Sequence, residues 1–231
     1  MNLLSHFVSA SHLPENGQLG SVLPDLLRLF TRRPRIQSVM ALWQNNGHSP
    51  EMGEIVLGVD YHHHVDSLFH KAPLFTVHAR ALREAMEQAD DTPGLKRFFA
   101  AHILLEIYLD HLLLIAKPDR SHKFYNLIAD SDHLVPFVAH HPDIDSERFS
   151  GFVDVILEDR FWEDYTAMES GIARAERIMV RMGQRRFSKR ETESILQTLE
   201  TRKELILGEL EDFFSLLKES EEKPLPSAGA A

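Results

Sequence analysis

The chain has 231 residues, 43% hydrophobic and 26% charged, with a formal net charge of −10, the profile expected of a soluble globular protein able to bury a large core. It contains no cysteine, which excludes disulfides, thiolate catalysis and zinc–thiolate sites and leaves metal ligation to His, Asp and Glu. The acidic balance runs against nucleic-acid binding, which needs a basic footprint.

Along the chain, helical periodicity dominates and strand-like alternation is scarce. The opening Met1–His6 lacks the basic region of a signal peptide, and a cytoplasmic address follows by default. The pattern predicts a first helix over Asn2–His12, a turn at Pro14–Gly17, and a helix over Ser21–Phe30 broken by Arg32-Arg33-Pro34. The next runs to about Gln44 and stops at Asn45–Pro50; another covers Glu54–His70, then Leu74–Ala89. Asp91-Thr92-Pro93-Gly94 reads as a cap and turn before the most apolar helix, Leu95–Ala116. Its longest apolar run, Ile103–Ala116, is interrupted by Glu106, Asp110 and His111, too short and too charged for a bilayer. Helices follow over Ser121–Ala139, over Ser146–Met182 with a break near Phe161 or Gly171, and over Lys189–Glu219. The tail 221–231, with Pro224 and Pro226, is expected to be disordered. The prediction is an all-α, single-domain helical bundle over 1–220.

Two stripes carry the chemistry. His102, Glu106 and Asp110 recur every four residues on an otherwise apolar helix, so they stack on one face of a core element. Buried carboxylates are costly unless paired or bound to a cation. A metal answers that cost, and so does a buried hydrogen-bond network. The second stripe is His62, Asp66 and His70, flanked by Asp60, His63 and His64. An imidazole and a carboxylate one turn apart are a common ligand pair for Mn, Fe or Zn. Near the N-terminus His6 and Asp25 are further candidates. Alone, the first reads as a core histidine and the second as a helix first-turn residue.

Taken in order, these segments resemble the bacterial acyl-carrier-protein phosphodiesterase family over nearly the whole chain. Met1-Asn2-Leu3-Leu4-Ser5-His6 is similar to the family's Met-Asn-(apolar)-Leu-Ala-His opening, and Gly20–Leu26 to its Gly-Asn-x-x-x-Asp-(Phe) segment. Gly58–Asp66 resembles its Gly-x-x-x-His-x-x-Ile-Asp segment, and Glu106–Leu113 its Asp-x-x-x-Asp-His-(aromatic)-Leu helix. Tyr165–Ile172 and Phe213-Phe214 also have counterparts. Ser21 stands where the family has Asn, Asp60 where it has a histidine, His70 where it has an acid, and Glu106 where it has Asp.

The resemblance implies an HD-like metal phosphohydrolase fold, a divalent cation (manganese first; Fe, Mg or Zn as alternatives), and removal of 4′-phosphopantetheine from holo acyl carrier protein. His6, Asp25, His62, Asp66 and Asp110 match its motif positions. The metal set expected is His62, Asp66, Asp110 and Asp25, with Asp25, His6 and His111 in catalysis. Glu106, His102, Asp60 and His70 are expected to support the ligands. An acidic carrier needs a basic surface on its partner, and Arg174, Arg177, Arg181 and Arg185 recur at helical spacing, with Arg32, Arg33 and Arg35 as a second cluster. No nucleic acid and no membrane is expected. Two other readings compete: an HD-like phosphohydrolase acting on another small phosphoester, and a catalytically silent helical binding protein.

Overall fold

The computed structural model describes residues 2–31, 33, 35–44 and 49–222. Among them the chain is all-helical, with no strand. The helices are α1 (Leu3–Ser9), α2 (Glu15–Phe30), α3 (Ile36–Gln44), α4 (Pro50–Phe69), α5 (Pro73–Ala89), α6 (Arg97–Ala116), α7 (Asp119–Ala129), α8 (Leu134–Ala139), α9 (Ser146–Asp159), α10 (Met168–Arg181) and α11 (Lys189–Glu222). A 3₁₀ turn at Glu163–Thr166 precedes α10.

Three local differences from the sequence pattern have physical reasons. α2 begins at Glu15, not Ser21, because Pro14 serves as its N-cap, where a missing N–H breaks no helical bond. Ser121–Ala139 is two helices, because Ser131 Oγ accepts from the backbone N–H of His133 (3.4 Å) and Leu134 (3.2 Å) and starts α8 afresh. α6 has 20 residues and is long and apolar enough by length and composition to cross a membrane, more than the run read from sequence, but 67% of its apolar stretch is buried inside the protein. The break near Phe161 is present, with Arg160 left-handed at φ 40°, whereas Gly171 lies within an unbroken α10. Of the tail expected to be disordered, 223–231 lie outside the described residues.

The chain forms two compact units, Met1–Ser67 with Glu106–Ala175, and Leu68–Leu105 with Glu176–Ala231. The boundaries fall inside α4, α6 and α10. In the first unit α1 packs on α2 and α7, and α9 on α7 and α8. Leu4, Leu23, Ile55, Val59, Leu109, Phe124 and Trp162 are fully buried there. Phe124 meets Trp162 edge-on at 4.1 Å, and Tyr125 Oη accepts the Trp162 backbone N–H at 3.1 Å.

In the second unit α5 lies along α11. Ser194 Oγ donates to the Ala85 carbonyl and Glu209 meets His78 at 3.2 Å, so one helix ascends as the other descends. The start of α11 is a capping box: Ser188 N–H donates to Glu191 at 2.9 Å, and Glu191 N–H to Ser188 Oγ at 3.2 Å. Arg185 clamps the same fully buried Glu191 carboxylate through two bonds, at 2.6 and 2.9 Å.

Candidate metal centre

The site begins with glycine. A Cβ on Gly20 would lie 2.1 Å from the Ile55 carbonyl oxygen, and one on Gly58 would lie 2.0 Å from that of Gly17. Only residues without a side chain permit this approach, so the backbones of α2 and α4 touch. That contact brings the Ser21 carbonyl of α2 to 2.8 Å from His62 Nδ1 of α4. A carbonyl can only accept, so Nδ1 carries the proton and Nε2 is left with a free lone pair.

His6 of α1, Asp25 of α2 and His62 of α4 each offer one ligand atom, and these atoms lie within 4.8 Å of one another. The His6 and His62 rings stack at 3.9 Å. Asp66, one turn beyond His62, sits with Oδ1 3.8 Å from His6 Nε2. That separation is too long for a hydrogen bond. Both ring nitrogens of His6 are buried with no hydrogen-bond partner. An orphaned imidazole in a fully buried position is costly, and it faces a carboxylate and a second imidazole whose lone pair is also available.

Electrostatics favour the metal-ready state of the histidines and oppose that of the aspartate. Burial lowers His6 to about 4, against the pull of Asp66. Burial, followed by the neighbouring His6, pushes His62 far below its ordinary value. Both rings are therefore neutral donors. Burial raises Asp25 to about 7, opposed in part by Arg28, 3.8 Å from its carboxylate and largely exposed. The Glu106 charge pushes Asp25 in the same direction as burial.

Asp110 occupies a different role from the ligand expected of it. Its Oδ1 accepts from Ser5 N–H at 2.8 Å and Ser5 Oγ–H at 2.6 Å, and its Oδ2 from Leu4 N–H at 3.2 Å. These are first-turn amides of α1, so Asp110 caps that helix from across the core. Burial raises its carboxyl to about 7 in spite of the three donors. Asp110 thus holds α1, and with it His6, in position, and it is not among the clustered ligand atoms.

The remaining candidates lie outside this cluster. His111 Nδ1 is 2.6 Å from the Tyr165 carbonyl, to which it donates. Glu106 is half-buried on α6, and Asp60 is exposed on α4. His70 and His102 belong to the second unit, where their Nε2 atoms are 3.3 Å apart among Phe69, Phe75 and Phe99. The basic stripe keeps helical register only to Arg181, the end of α10. Arg174 lies over the Phe161 ring at 4.7 Å, Arg185 is the clamp on Glu191, and Arg177 and Arg181 are exposed. Of the second basic cluster, Arg32 lies outside the described residues, while Arg33 and Arg35 are exposed.

Sequence reasoning missed Ser5, which shares the Asp110 carboxylate, and the helix-crossing role of Gly17, Gly20 and Gly58. The Gly-x-x-Gly spacing at 17 and 20 was the available signal. The chain matches no protein-family model, no curated protein and no solved structure.

Proposed function

We propose that this protein is a metal-dependent phosphodiesterase of HD-like type, holding a divalent cation through His6, Asp25 and His62 with Asp66 beside them. The observation that carries the reading is His6, an imidazole buried without a hydrogen bond at either nitrogen and grouped with two other ligand atoms within 4.8 Å. Two neutral imidazoles and a carboxylate suit Mn, Fe or Zn, and the family resemblance favours manganese. A cation bound there supplies Lewis acidity toward phosphoryl oxygens and acidifies water. His62 presents Nε2 because the Ser21 carbonyl holds its other nitrogen. Asp66, 34% exposed and facing His6, is the acid–base candidate for moving a proton between solvent and the phosphoester. His111, bound to a backbone carbonyl, is the alternative donor to the leaving alkoxide.

The substrate proposed from the resemblance is holo acyl carrier protein, cleaved in the cytoplasm at the diester that links its phosphopantetheine arm to serine. The exposed Arg177 and Arg181 offer positive charge to such an acidic partner. Incubation of the protein with manganese and holo carrier, followed by intact-mass spectrometry, tests this. Loss of the arm, abolished in His62→Ala, is the expected outcome. An unchanged carrier mass in the presence of bound manganese would rule out this substrate, and absence of any bound divalent cation would rule out the metal site.

A further inference from the structure

Beside the cluster lies a groove of about 340 Å³. Its apolar wall is Pro24, Leu27 and Ile36, and its polar rim includes Arg28, Arg35, Gln37 and His63. Among the described residues no Asp or Glu lines it, although the chain has 35 acidic residues against 25 Lys and Arg. In so acidic a protein, a groove whose charged groups are two arginines is an anion receptor by composition. The groove meets the cluster at two points. Arg28 pairs with Asp25 at 3.8 Å, and the His63 ring stands edge-on to His62 at 5.3 Å. Gln37 Nε2 lies 3.5 Å from His63 Nε2, which joins α3 to this rim. The volume is at the small end of the roughly 300–1,000 Å³ typical of ligand pockets, suited to a phosphoryl group with a narrow chain attached.

We propose that this groove seats the phosphoester end of a linear substrate, with Arg28 and Arg35 as counter-ions and the Pro24–Leu27–Ile36 wall against its aliphatic portion. The choice of a phosphoester rests on the phosphodiesterase reading. Guanidinium forks recognise phosphate oxygens in pairs. Arg28, already beside Asp25, spans ligand cluster and groove, whereas Arg35 belongs to the groove alone.

The test is a titration of the full-length, metal-free protein with inorganic phosphate, following the His63 ring and Gln37 side-chain amide resonances by NMR. Saturable shifts of both are expected. Arg35→Ala should weaken phosphate about tenfold or more, the loss of one charge-assisted contact. Arg35→Lys should fall between, because it keeps the charge and loses the fork. Arg80→Ala, exposed on α5 and removing the same charge, should bind as wild type. No shift at His63 and Gln37, wild-type affinity in Arg35→Ala, or equal weakening in Arg80→Ala would each overturn the assignment. Manganese titration of the same samples by calorimetry separates the two claims. Phosphate capture without manganese binding removes the metal reading and leaves the groove; manganese binding without phosphate capture removes the groove.

Discussion

His6 and Asp25 both resist their charged forms, and the two resistances act in opposite directions as pH changes. Between about 4 and 6.5 an unfolded chain protonates His6 and the folded one does not, so this group contributes stability that grows as pH rises through the window. Between 3.8 and about 7 the folded chain keeps a proton on Asp25 that the unfolded one releases, so stability falls as pH rises. Asp25→Asn removes only the second effect. Thermal unfolding of metal-free protein should therefore show the variant gaining on wild type steadily from pH 4 to pH 7. The same values predict the protons released on metal binding. At pH 6 the histidines are already neutral, so about one proton leaves, from Asp25, and almost none at pH 8. Calorimetry in buffers of different ionisation enthalpy reads that number; a count near two at pH 6 would mean that a second group, a histidine or a metal-bound water, also gives up a proton. Asp110 should behave differently from Asp25. Asp110→Ala orphans two buried amides and should cost about 3 kcal/mol in urea unfolding, with Asp110→Asn milder because one acceptor oxygen remains. Spacing in the sequence put Asp110 on a core face with Glu106 and His102, but spacing along one helix cannot say what lies opposite. The groups that answer Asp110 are residues 4 and 5, more than a hundred positions away.

At the scale of elements, the α2–α4 crossing is the least tolerant point of the fold. Gly58→Ala must drive backbone from backbone, since its Cβ would stand 2.0 Å from one carbonyl and 2.8 Å from the Gly20 Cα. It should cost about 3 kcal/mol or more and release His62 from Ser21, visible as a change in the ring's tautomer by NMR. Gly208 of α11 is the opposite case. Nothing lies within 4 Å of its Cβ direction, so Gly208→Ala should stabilise by about 0.5–1 kcal/mol in the same unfolding assay. Most helices were legible from the apolar period, although α7 and α8 read as one, and Ser188 with Glu191 fits a capping-box pattern that went unread. Helix ends were less so. The break at Ser131 depends on a hydroxyl turning to two amides, which periodicity does not record, whereas the expected break near Phe161 falls at the left-handed Arg160.

For the molecule as a whole, the all-α class was readable from composition and period, while the partition into two units was not, because no linker marks it and its boundaries run through helices. Charge patterning yields one prediction at this scale. If an acidic carrier is the partner, association should depend on exposed arginines within an overall charge of −10, so the apparent KM should rise with ionic strength. Arg177→Ala/Arg181→Ala should raise KM at low salt and flatten that dependence while leaving kcat unchanged. The cap that Asp110 places on α1 also sets an order of events during synthesis. The group that anchors the helix of His6 follows it by some hundred residues, and short nascent helices are unstable alone. Helix α1 therefore lacks the Asp110 anchor until α6 has been made. His6 is therefore held beside Asp25 and His62 only once α6, Arg97–Ala116 of the 231 residues, has followed them.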